Sequence, residues 1–125
     1  MSIESQMDAA YKKKVLGMLD KATRKLAIDI QHDVEAQTPV DTGRARSNWL
    51  PSIGTARKDT TESTGGSPVI NFTSYQLGDK IYITNNLPYI ARLNDGYSKQ
   101  APAAYVDMAI QRQVNQLRAA LRLIK

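Results

Sequence analysis

Two stretches of the chain carry apolar residues at helical spacing, and short runs broken by turns lie between them. From about residue 8 to residue 37, Val15, Leu19, Ala22, Leu26, Ile30 and Val34 recur three or four positions apart. That is the repeat of one face of an α-helix. Lys13, Asp20, Lys21, Arg24, Asp33 and Glu35 fill other faces. Thr38-Pro39 ends the helix, because a residue before proline avoids the helical region. Gly17 weakens the middle by about 1 kcal/mol relative to alanine; it marks close contact with a neighbour, or nothing. A second long helix is expected from about residue 102 to 123, with Val106, Ala109, Ile110, Val114, Leu117, Leu121 and Ile124 as its apolar stripe. Pro102 fits its first position, where the missing amide costs nothing.

The middle of the chain reads differently. Asp41 can cap the amides of a helical turn through Ala45. From Asn48 a strand is expected, with Trp49 and Ile53 as its bulky members, and Pro51 assigns it to an edge or a bulge. Residues 54–67, GTARKDTTESTGGS, lack apolar periodicity and read as a mobile surface loop. Residues 69–77 fit a strand or a short helix, Gly78-Asp79 a turn, and residues 80–84 a strand around Ile81 and Ile83. Then comes NNLPYIARLNDGYSKQAPAAYV, residues 85–106, which is dense in turn formers. Asn85-Asn86 is expected to supply left-handed backbone at the strand exit, Pro88-Tyr89 starts a new element, and Gly96 releases the chain. Tyr89, Tyr97 and Tyr105 suit an edge that is part dry and part wet. Tyr89 and Tyr97 fit either the core or an interface. The fold class is therefore α+β: one domain over residues 1–125, with two long amphipathic helices packed on a small antiparallel sheet and a long mobile loop.

Composition narrows the chemistry. The chain has no cysteine, so disulfides and Cys-based zinc sites are excluded. No apolar run approaches the roughly 20 residues of a membrane span. MSIESQMDAAYKKK lacks the apolar core of a signal peptide. The expectation is a soluble, unprocessed chain made in the cytoplasm, in which the glycosylation match Asn71-Phe72-Thr73 means nothing. Lysines and arginines outnumber acids 17 to 12, a net charge of +5. The basic segments hold almost no aromatics, which disfavours sequence-specific nucleic-acid binding. Arg44 and Arg46, and Arg57 and Lys58, are candidates for contacts between subunits or for a surface facing DNA.

Asp41-Thr42-Gly43 matches the triplet of aspartic proteases, which pair two carboxylates, one ionised and one protonated. Here the triplet follows a long helix rather than an apolar strand, and Arg44 comes next. Asp41 as a cap and Gly43 as a tight-turn residue fit better. His32 is the only histidine, with no ligand partner at metal spacing. No cofactor site is expected.

Two separated blocks, TPVDTGRARSNW (residues 38–49) and IYITNNLPYIARLNDGYSKQAPAAYV (residues 81–106), resemble the motifs of one family. It is the tail-completion or neck proteins of long-tailed bacteriophages, similar to the minor tail protein Z group. The blocks cover about a third of the chain. The resemblance implies a non-enzymatic virion protein, assembled in the host cytoplasm, that joins the tail tube to the head connector. It implies a closed homo-oligomeric ring, commonly a hexamer, whose partners are connector or adaptor and tail-tube proteins, with transient, non-specific contact with genomic DNA and none with membrane. By the same resemblance Asp41 and Gly43 shape the first turn, and Asn85, Asn86, Pro88 and Tyr89 shape the strand-to-helix corner. Gly96, Ser98, Gln100, Ala101 and Pro102 shape the loop entering the last helix, with Tyr97 beside them at the subunit interface. Asn94-Asp95 departs from the family pattern, which often has a glutamate and an aromatic there. The rivals are a tail terminator that caps tube growth and a small non-specific DNA-binding protein.

Overall fold

Ser2 opens the first helix: its hydroxyl accepts the Ser5 N–H at 3.1 Å, and Glu4 lies in the first turn. Helix α1 (Ile3–Gln37) therefore starts earlier than the apolar repeat suggests. The structure is a computed structural model and describes residues 2–39, 43–95 and 104–122. Thr38 closes α1 in an extended conformation, its N–H donating to the carbonyls of Glu35 and Val34. A short helix α2 (Arg44–Ser47) leads into strand β1 (Leu50–Ile53). Strand β2 (Ile81–Thr84) follows a long irregular segment, then helix α3 (Ile90–Asn94) and helix α4 (Tyr105–Arg122). Long helix, two-stranded antiparallel sheet and C-terminal helix make an α+β chain.

The sheet pairs Leu50 with Thr84, Pro51 with Ile83, Ser52 with Tyr82 and Ile53 with Ile81. Gly54 N–H donates to the Lys80 carbonyl at 2.8 Å. Antiparallel pairs alternate between bonded and non-bonded, so Pro51 falls in a non-bonded pair and its missing donor breaks no ladder bond. Trp49 precedes the strand instead of lying in it. Residues 69–77 form neither strand nor helix; they run as coil and turns, with Ile70 and Tyr75 buried and Val69 exposed. Isolated buried side chains in irregular backbone explain why no period of two or 3.6 could be read there.

Val34, Trp49, Tyr105 and Ala109 form the core, with Ile30, Ile83, Ile90, Leu93 and Val106 packed around them. α4 runs back along α1. Arg112 and Gln113 reach Asp33, while Gln116, Leu117 and Ala120 lie beside Lys25, Leu26 and Asp29. α4 begins only after Ala104, whose φ of 58° is left-handed and cannot continue a helix. Pro102, expected as its first residue, lies outside the described residues.

α1 is packed unevenly. Ala27, Gln31 and Val34 are its buried residues. Ile3, Met7, Tyr11, Leu16, Met18 and Leu19 are exposed, Leu19 although it belongs to the periodic stripe.

The segment expected to be a mobile loop follows a hydrogen-bonded path. Asn48 grips Thr61 twice, accepting its N–H at 2.9 Å and donating to its carbonyl at 3.0 Å. Gly66 N–H donates to Ser47 Oγ at 2.9 Å, and Ser67 N–H to Glu35 Oε1 at 3.1 Å. Arg24 then covers the edge-to-face pair of Phe72 and Tyr75, 5.4 and 5.1 Å from their ring centres.

Candidate assembly site

The two blocks that carry the resemblance meet in space. Asn85 Nδ2 donates to the Ala45 carbonyl at 3.0 Å, and Asn85 Oδ1 accepts the Leu87 N–H at 3.2 Å. Asn86 Nδ2 donates to the carbonyls of Arg57 and Asp59 at 2.9 and 3.1 Å. Neither asparagine has a positive φ; among the described residues those are Ala104 and Gly43, Gly54, Gly66 and Gly78. The expectation of left-handed backbone at Asn85-Asn86 is therefore corrected: their amide side chains, not their backbones, fasten the strand exit. Pro88 is exposed at the next turn, where Leu87 is buried and Ile90 N–H donates to the Leu87 carbonyl. Tyr89 caps α3 without a side-chain bond and keeps 39% of its surface exposed.

Thr38 is the hub below this corner. Its hydroxyl donates to the Val34 carbonyl at 2.6 Å and accepts the Trp49 Nε1–H at 2.8 Å. Tyr105 Oη lies 3.5 Å from the same oxygen. A hydroxyl has one proton, so Tyr105 is the donor in that contact. Burial pushes the Tyr105 phenol up, with the Thr38 contact acting against it. One threonine thus ties the end of α1 to the tryptophan before β1 and to the first residue of α4.

Gly43 has φ 82°, and a Cβ there would meet the Thr64 carbonyl oxygen at 2.6 Å. It caps α2 without a side-chain bond. Asp41, the expected cap, lies outside the described residues, as do Gly96, Tyr97, Ser98, Gln100 and Ala101.

The candidate cations are engaged within the chain. Arg46 donates to the carbonyls of Glu35 and Ala36 at 3.0 and 3.1 Å, supplying positive charge where the last turn of α1 has none. Arg44 pairs with Glu62 at 3.0 Å. Arg57 pairs with Asp59; their hydrogen bond raises the arginine pKa and lowers that of the aspartate. Lys58 is exposed beside them. His32 is exposed on α1.

Sequence reasoning missed four polar residues that organise this region: Gln31, Thr38, Asn48 and Asn94. Gln31 is buried and donates to the carbonyls of Trp49 and Pro68 at 3.3 and 2.8 Å. Its signal was present, a polar side chain midway between Ala27 and Val34. Asn94 Oδ1 accepts the Val106 N–H at 2.9 Å at the start of α4, and its carbonyl accepts the Ala104 N–H. This is a cap supplied from another helix, so no local pattern announces it. It also shows what the departure at Asn94-Asp95 does: an amide replaces the larger groups and holds the entry to α4 directly. Every buried side-chain nitrogen and oxygen among the described residues has a partner. In comparisons with protein-family models, curated proteins and solved structures, nothing matches this chain.

Proposed function

We propose that this protein is a non-enzymatic virion structural protein at the head–tail junction of a long-tailed phage. It acts as an oligomeric ring that completes the tail and meets the head connector. The observation that carries the reading is the interlock of the two resembling blocks, Asn85 to Ala45 and Thr38 between Trp49 and Tyr105. Residues far apart in sequence that resemble one family converge on one junction, as a shared fold requires. In this reading the two long helices are the amphipathic layers that carry the small sheet. The turns at Gly43 and at residues 85–89 face neighbouring subunits, with Tyr89 as an exposed anchor.

The mechanism is assembly. Each subunit repeats one contact with the next, and the ring closes when the rotation per contact divides a full turn. DNA passing the lumen requires weak, sequence-independent attraction. Because Arg44, Arg46 and Arg57 are already paired within the chain, attraction falls mainly to residues such as Lys58. Electron cryo-microscopy of particles containing this chain should find it as a ring at the neck. Density for it only as an isolated monomer elsewhere would defeat the reading.

A further inference from the structure

The exposed half of α1 presents an apolar face with nothing on it. At 3.6 residues per turn, Ile3, Met7, Tyr11, Val15 and Met18 fall within roughly a third of the helix circumference. Ile3, Met7 and Tyr11 are 75%, 66% and 70% exposed. The same side, further along, is the one that Asp29 and Asp33 turn toward α4. α4 is described as far as Arg122, and its Ala120 lies beside Lys25 and Asp29. The stripe therefore continues a helix-packing surface beyond the point where α4 stops covering it. A helical segment this short, unpacked, is marginal in water.

A matching acceptor lies elsewhere on the same chain. Leu26, Ala27 and Ile30 of α1, Ile81 and Ile83 of β2 and Ile110 of α4 line an open, mostly apolar groove. Ile110 is 41% exposed. The accessible surface points to how much is left to cover. The chain exposes 8694 Å², against about 6,700 Å² for a compact monomer of 13.9 kDa. A standard interface takes about 800 Å² from each partner. The excess of about 2,000 Å² matches two such faces per subunit, the number a head-to-tail ring uses.

We infer that the first half of α1 is an assembly arm, whose stripe of Ile3, Met7, Tyr11, Val15 and Met18 seats in the Leu26–Ile30–Ile81–Ile83–Ile110 groove of a second copy of this chain. The contact joins two different surfaces, so it propagates from subunit to subunit until it closes. The inference deepens the ring reading and rests on it for closure.

The test is sedimentation equilibrium of the full chain across the micromolar range, with Met7→Glu as the arm variant and Ile110→Glu as the groove variant. Both positions are exposed, and circular dichroism and a thermal melt confirm that each variant folds. The wild type should self-associate, and each variant alone should associate at least about tenfold more weakly. Mixed together, the two variants should form a one-to-one dimer, because one intact arm meets one intact groove. A monomeric wild type overturns the inference. So does a groove variant that associates like wild type, which would mean that arm pairs with arm. Absence of the chain from the neck would sink the ring reading while leaving this association intact, so the two failures are distinguishable.

Discussion

The two halves of α1 share one backbone and little else. Residues 27–37 are held by Trp49, Pro68, Ser67, Arg46 and Arg112, through contacts made by Gln31, Val34, Glu35, Asp33 and the last carbonyls. Residues 2–14 are exposed throughout. Their apolar stripe lies roughly opposite the Ala27–Gln31–Val34 face. The comparison teaches that a three-and-four repeat reports only that a face is apolar. What covers the face, and whether it lies in the same chain, is a tertiary matter.

The largest effect separates the halves by stability. Trp49→Ala removes a buried side chain packed with Val34 and bonded to Thr38. It should cost about 3–5 kcal/mol in urea unfolding. Met7→Ala, on the exposed half, should change the free chain by less than about 0.5 kcal/mol. Comparable losses from the two would break the comparison.

A smaller contrast uses polar residues. Gln31→Ala leaves the carbonyls of Trp49 and Pro68 without their donor and should cost about 1–3 kcal/mol. Gln6→Ala, on the exposed half, should be near neutral. Amide exchange adds a second readout. Thr61 and Gly66, both donors to residues of the α2 region, should exchange more slowly than the exposed, unpaired positions around them. Uniformly fast exchange over residues 54–67 would mean that these ties do not hold the segment in solution.

What the sequence made legible follows the same division. Both long helices, the turn at Gly43, and the strands around Ile53 and Ile81–Ile83 rest on local signals: period, caps and turn residues. The junction was not legible, because its members act across the chain. Thr38 reads as a helix stop and becomes a hub for Trp49 and Tyr105, 11 and 67 residues away. Asn48 reads as a strand start and becomes a clamp on Thr61, 13 residues on. Asn85-Asn86 were expected to act through their backbones, the local use of asparagine, and act through their amides instead. Long-range polar pairing has no period, so a single sequence does not announce it.

The packed half also carries a pH dependence. Arg112 donates two hydrogen bonds to Asp33, and Gln113 a third. The Arg112 hydrogen bond, against the opposing effect of burial, holds the Asp33 carboxyl below its ordinary value. A carboxyl lowered in the folded state contributes stability that is present above its unfolded pKa of about 3.9. That contribution is lost as pH falls through the lower folded value. Asp33→Asn should therefore flatten the acid limb of the stability curve below about pH 4, while changing its slope little near neutrality. Denaturant midpoints measured from neutral to acid pH would read this. An unchanged acid limb in the variant would remove Asp33 as its source.

The smallest effect lies in the exposed half and bears on what covers it. A Cβ at Gly17 would meet nothing within 4 Å. In the free chain Gly17→Ala should therefore stabilise α1 by up to about 1 kcal/mol, through helix propensity and a less free unfolded state. Helicity and urea unfolding of a dilute sample measure that term alone. The same variant in a concentrated sample asks a different question. If the neighbour packs against the stripe, which turns away from Gly17, association should strengthen slightly because the arm is better formed. If association weakens while the free chain is stabilised, the neighbour reaches the glycine itself, and the seated face is wider than the stripe of Ile3, Met7, Tyr11, Val15 and Met18.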